Sequence, residues 1–137
     1  PPCATSAVCA RLRTRPVPLR YTIDPERRLV VTSYEGTVTD ADLLDHQRAI
    51  LRDPDFCPDY HQLSDARGTT RLLVTGDGIR ALAETNVFSA LSRRAIVVVG
   101  TAQFGLARMF QTLRERGPER IEIFTDYDEA VRWLAAG

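Results

Sequence analysis

The pattern of apolar and polar positions puts the centre of the chain at Arg94-Ala95-Ile96-Val97-Val98-Val99-Gly100. Its four consecutive β-branched residues, closed by a glycine, follow neither a helical nor an alternating period. Such a run reads as a strand covered on both faces. Leu19 to Asp24 reads as a first strand, Pro25 to Arg28 as a turn, and Leu29 to Tyr34 as a second strand stopped by Gly36. The short link makes this pair an antiparallel hairpin. Thr39 has the chemistry of an N-cap, with Asp40 and Asp42 in the first turn, where the helix dipole favours negative charge. The helix it opens runs from Asp40 to about Arg52 along an apolar face of Leu43, Leu44, Gln47, Ile50 and Leu51, with His46 at its edge.

Pro54 and Pro58 frame a loop, a third strand is expected near His61 to Asp65, and Ala66 to Leu73 reads as a connector. Thr75-Gly76-Asp77-Gly78 leads into a second helix through Ile79, Leu82 and Ala83 to about Asn86. Beyond the central strand, 94–99, the turn Gly100 to Gln103 opens a helix from about Ala102 to Arg116 with the core stripe Leu106, Met109, Phe110 and Leu113. Gly117-Pro118 stops it, and Ile121 to Phe124 forms a last strand. Thr125 or Asp126 caps a final helix with Tyr127, Ala130, Val131 and Leu134 inward and Trp133 beside them as a packing anchor. The order β-β-α-β-α-β-α-β-α predicts a mixed, mostly parallel five-stranded sheet with four helices and right-handed crossovers. Residues 1–18 carry four prolines and three arginines and are expected to be a disordered extension, so the domain is 19–137.

Composition narrows the classes of function. No apolar run approaches the roughly 20 residues of a membrane helix. All 18 basic residues are arginine. Four of them, with no acid, fall in the first 23 residues, which leaves 14 arginines against 18 acids in the rest. A mildly acidic body is a poor footprint for nucleic acid. Cys3, Cys9 and Cys57 are odd in number and lack metal spacing, so neither a disulfide framework nor a zinc site is expected, and Cys57 reads as an inert free thiol in a reducing cytoplasm. His46 and His61 are isolated, no serine elbow is present, and no cofactor fingerprint occurs, so no enzyme is expected. The carboxylates at element ends, Asp65, Asp77 and Asp126, are explained as caps.

The element order, Asp24-Pro25-Glu26-Arg27-Arg28-Leu29, the Thr39 cap and Phe104-Gly105-Leu106-Ala107-Arg108-Met109-Phe110 resemble the STAS family, the fold of anti-sigma-factor antagonists of the SpoIIAA type. Within it they resemble most the bacterial SpoIIAA-like, STAS/Sec14-type proteins, over about residues 19–136. In the antagonists a phosphorylatable serine precedes the helix after the third strand. The resemblance puts Thr75 in its place, with Gly76 and Gly78 matching the glycines, whereas Leu73 stands where the leading aspartate would be and Val74 where the first serine would be. It implies a bacterial, non-enzymatic module that binds a protein partner through Thr75, Gly76, Asp77, Gly78 and the following helix. The alternative it implies is a small apolar-ligand or lipid binder with a pocket at Phe88, Leu91, Phe104 and Phe110. An exposed edge strand also offers a route to a homodimer.

Overall fold

A hairpin begins the sheet. In the computed structural model, which describes residues 17–85 and 87–136, β1 (Leu19–Asp24) pairs antiparallel with β2 (Leu29–Thr39). Asp24 closes the turn by accepting from the backbone N–H groups of Glu26 and Arg27. The chain continues as α1 (Asp40–Arg52), β3 (His61–Leu73), α2 (Gly76–Glu84), β4 (Arg93–Val97), α3 (Gly100–Leu113), β5 (Arg120–Phe124) and α4 (Tyr127–Ala135). The strands lie in the order β1-β2-β3-β4-β5, and every pair after the first is parallel. The expected fold class is therefore the observed one. Each crossover of constant hand moves one strand along in the same direction, which puts the crossover helices on one face. The helices α1, α2 and α3 cover that face, and α4, which crosses nothing, packs on the other.

The two faces are built by alternation along the strands. Leu29, Leu63, Ala95 and Val97 meet Ala130 and Leu134 of α4. On the opposite face Val38 and Ile121 pack with Leu43, Ile79, Ala83 and Phe110, and Val30 packs with Ile50, Phe56 and Phe88. Trp133 lies against Phe124 and carries the guanidinium groups of Arg93 and Arg120 over its ring, as expected of a packing anchor.

Several boundaries differ from expectation. Gly36 does not end β2, and the segment from Ala66 to Leu73 is no connector. The two strands continue side by side to Thr39 and Leu73 through two register shifts. Gly36, at φ +73°, bends the strand within a bulge. Gly68 allows the close approach, because a Cβ there would run into the Tyr34 carbonyl oxygen. The strand β4 is shorter than 94–99 because α3 begins at Gly100, where Gln103 Oε1 accepts from the Val99 N–H and closes the first turn. Cys57 is disulfide-bonded, so the expectation of a free thiol fails and the thiol argument for a reducing compartment goes with it. Residues 1–16 of the expected tail, and Asn86, also lie outside the described residues. No helix among the described residues is long and apolar enough to cross a membrane.

Candidate functional site

Two places stand out on the sheet, one of them at the carboxyl ends of the parallel strands, where ligands of open α/β sheets usually sit. The first is the start of α2. Thr75 Oγ1 accepts from the Gly78 N–H at 3.1 Å and donates to Asp40 Oδ2 at 2.6 Å, while the Thr75 N–H donates to Asp40 Oδ1 at 2.8 Å. Asp40 is the first residue of α1, so one carboxylate clasps the N-termini of two helices. A Cβ at Gly78 would collide with the Asp40 carboxylate, so glycine is needed there for the helices to approach. Asp77 pairs with Arg80 at 2.8 Å on the surface. Of the four residues expected to act here, Thr75 and Gly78 form the clasp, and Gly76 and Asp77 share its turn. A phosphate on Thr75 would remove the hydroxyl proton that Asp40 accepts and bring two negative groups together.

The second place is a cavity of about 90 Å³ between the sheet and α1, α2 and α3. Its walls are mostly aliphatic: Leu43, Leu72, Val74, Ile79, Leu82 and Leu106. Its floor is polar, although it lies on the covered face of the sheet. Gln62, Ser64 and Arg94 line it and are buried. The register sets Gln62 beside Arg94 and Ser64 beside Ile96 and Thr32, so alternate residues of three strands bring polar groups to one spot. Buried polar groups are costly unless paired, and most of these are. His46 Nε2 lies 3.0 Å from Thr32 Oγ1, and Arg94 Nε donates to Gln62 Oε1 at 3.1 Å. Arg94 Nη1 donates to Glu119 Oε2 at 3.1 Å, and its guanidinium stacks 4.3 Å from the Phe88 ring centre and 5.2 Å from that of Phe110. Thr69 Oγ1, in the cavity wall, is buried without a hydrogen-bond partner.

Burial sets the electrostatics. It lowers the His46 pKa to about 4, with the Arg94 charge adding to the effect, so the imidazole is neutral at pH 7. It raises the Tyr34 phenol, against the opposing pull of the Arg94 charge and the Ser64 hydroxyl. It lowers Arg94 to about 10 against the attraction of Glu119, which leaves the guanidinium charged at neutral pH. For Glu119 burial works upward, but the Arg114 hydrogen bonds and the charges of Arg94 and Arg114 outweigh it and hold the carboxyl below its ordinary range.

The apolar pocket expected from sequence is placed differently. Phe110 lines the cavity, whereas Phe88 is buried beneath the Arg94 guanidinium among Val30, Ile50 and Phe56. Leu91 and Phe104 are exposed, at 66% and 44% of their surface. Phe104 lies off the inward stripe of α3, which runs through Gln103, Leu106, Ala107 and Phe110. Sequence reasoning missed Arg94, Tyr34, Gln62, Ser64 and Thr69. A signal was present in Gln62 and Ser64, polar residues at alternate positions of a strand that the fold covers on both faces. Of the carboxylates expected as caps, Asp126 does cap α4, whereas Asp65 lies within β3 and is held below its ordinary range by the Arg67 hydrogen bonds, against the effect of burial; neither lines the cavity. Among the described residues no group of three His, Cys, Asp or Glu side chains is placed to hold a metal.

Neither a family model nor a curated protein matches the chain by sequence. Among solved structures the chain is similar to an uncharacterised protein of the DUF3478 family from Shewanella loihica, described as having a SpoIIAA-like fold. The match has a TM-score of 0.56 at 17% identity and covers 90% of this chain and 99% of that one. The chain has a SpoIIAA-like fold. The resemblance read from the sequence thus holds at the level of fold, and the cavity lies under the three crossover helices of this SpoIIAA-like sheet.

Proposed function

We infer that the protein is a small-ligand binding module on a SpoIIAA-like scaffold, with its site in the cavity over Gln62, Ser64 and Arg94. The observation that carries this reading is the combination of an aliphatic wall with buried polar groups, Gln62, Ser64 and Arg94 toward the amino ends of the parallel strands and the unpartnered Thr69 hydroxyl farther along β3. Native followed by denaturing mass spectrometry of protein taken from its own cells tests it. A small non-covalent adduct, lost on denaturation and absent from a Leu106→Trp variant, is the expected result. The same adduct undiminished in that variant would place the ligand elsewhere.

A second reading is a partner-binding module on the face around Thr75. Leu73, Val99 and Phe104 favour it, as large apolar side chains exposed at that end of the sheet. On this reading phosphorylation of Thr75 would act by breaking the clasp to Asp40. A pull-down from lysate with wild type and Thr75→Glu tests it, and identical, empty retention in both would remove it.

A further inference from the structure

The cavity floor belongs to a charged cluster whose signs do not balance. The Glu119 side chain is wholly buried and accepts from two arginines. Arg94 Nη1 reaches Oε2 at 3.1 Å, while Arg114 Nη2 reaches Oε1 at 2.7 Å and Arg114 Nε reaches Oε2 at 3.1 Å. The two arginine side chains are only 10% and 13% exposed. A guanidinium stays protonated under all ordinary conditions. Two cations therefore share one carboxylate in a space nearly closed to water, and one positive charge is left over.

The surplus faces the cavity. Arg114 is fully committed, with Nε and Nη2 on Glu119 and Nη1 donating to the Ala83 carbonyl at 3.1 Å. Arg94 uses Nε on Gln62 and Nη1 on Glu119, and its Nη2 has no hydrogen-bond partner among the described residues. Arg94 lines the cavity, and among the described residues no aspartate or glutamate does. His46, the other titratable base in the wall, is neutral, and Tyr34 is a neutral phenol. An isolated buried charge is costly unless it is paired. The missing element is one negative charge able to accept several hydrogen bonds, attached to an apolar remainder that fits the aliphatic wall.

We propose that the cavity binds a short-chain monocarboxylate, with its carboxylate on Arg94 and its alkyl tail among Leu43, Ile79, Leu82 and Leu106. The proposal rests on the ligand-binding reading above and names its ligand class. A single charge matches the surplus, whereas a phosphate dianion would overshoot it. A cavity of about 90 Å³ is smaller than the roughly 150 Å³ that accepts benzene, which points to an acid of about four carbons in all.

Calorimetric titration of the whole protein at pH 7 with sodium butyrate, butyramide and inorganic phosphate tests the proposal. Butyrate and butyramide have nearly the same shape and differ in charge. Butyrate is expected to bind saturably and at least ~10-fold tighter than butyramide, because a hydrogen bond to a charged partner is worth that much when buried. Arg94→Gln should abolish the preference. Leu106→Trp fills the space for the tail and leaves the charged cluster in place, so it should abolish butyrate binding even if the arginine variant does not fold. Butyramide binding as tightly as butyrate would overturn the carboxylate assignment and leave the cavity reading standing. Phosphate binding as tightly as butyrate would overturn it too. Binding by none of the three would remove both.

Discussion

The α2 N-terminus and the cavity floor lie at opposite ends of the parallel strands and are opposites in how their donors are used. At Thr75 the helix end is closed from within: Asp40 takes the hydroxyl and the backbone N–H of Thr75, and the Thr75 oxygen takes the N–H of Gly78. Around Arg94 the charged donors outnumber the acceptors, with two arginines on one glutamate. A helix N-terminus is commonly a ready anion site, yet here the protein has supplied its own anion. The place that still needs one is in the core. A binding site is better recognised by what the fold leaves unsatisfied than by a motif that the fold has already used.

The largest effect should come from disturbing the cavity cluster. Glu119→Ala would leave two buried guanidinium groups facing each other, and breaking a buried pair in this way costs about 3–5 kcal/mol. Urea unfolding of the variant at pH 7 measures it, and a loss below about 1 kcal/mol would mean that the cluster is not a buried unit. Acid should act next through His46. Its folded pKa of about 4 lies below the unfolded value, so the unfolded chain takes up the proton first. Its contribution is whole above about pH 6.5 and is lost as pH falls toward 4, amounting to about 2 kcal/mol by pH 5. Unfolding curves of wild type and His46→Leu between pH 7 and 5 should diverge by that amount, and parallel curves would contradict the neutral buried imidazole.

The clasp should matter less, because it lies at the surface. Asp40→Ala is expected to cost about 1–2 kcal/mol and Thr75→Ala about 1 kcal/mol. The double variant should cost less than the sum, and strict additivity would show that the two residues do not act together. The smallest effect is expected at Thr69→Val without ligand. Removing an unpartnered buried hydroxyl should leave thermal stability unchanged or raise it by up to about 1 kcal/mol. A clear loss would mean that Thr69 has a partner after all.

The sequence made the scaffold readable and left the site hidden. Thr39 is the cap it appears to be, with Asp42 returning the hydrogen bond to the Thr39 N–H, and Asp126 caps α4. The apolar run at β4 does lie between two covered faces. The extension of β2 and β3 was not readable, since Gly36 and Gly68 are stop signals when taken singly and become close-approach positions only when the strands lie side by side. The apolar pocket was misplaced for a related reason. Apolar residues mark the core in general, and only the packing shows where it leaves space. Arg94 looked like the edge of an apolar strand. Its meaning depends on Glu119 and Arg114, which lie far along the chain and meet it only in the fold.

The central claim is that the cavity, and not the α2 N-terminus, is where this protein binds its ligand. An NMR titration of the amide and arginine side-chain N–H signals with sodium butyrate compares the two places in one experiment. The expected result is saturable movement of the Arg94 Nε–H and of the backbone signals of Gln62, Ser64 and Ile96, with Thr75 to Gly78 unmoved. Saturable movement confined to Thr75 to Gly78, or no saturable movement anywhere, would contradict it.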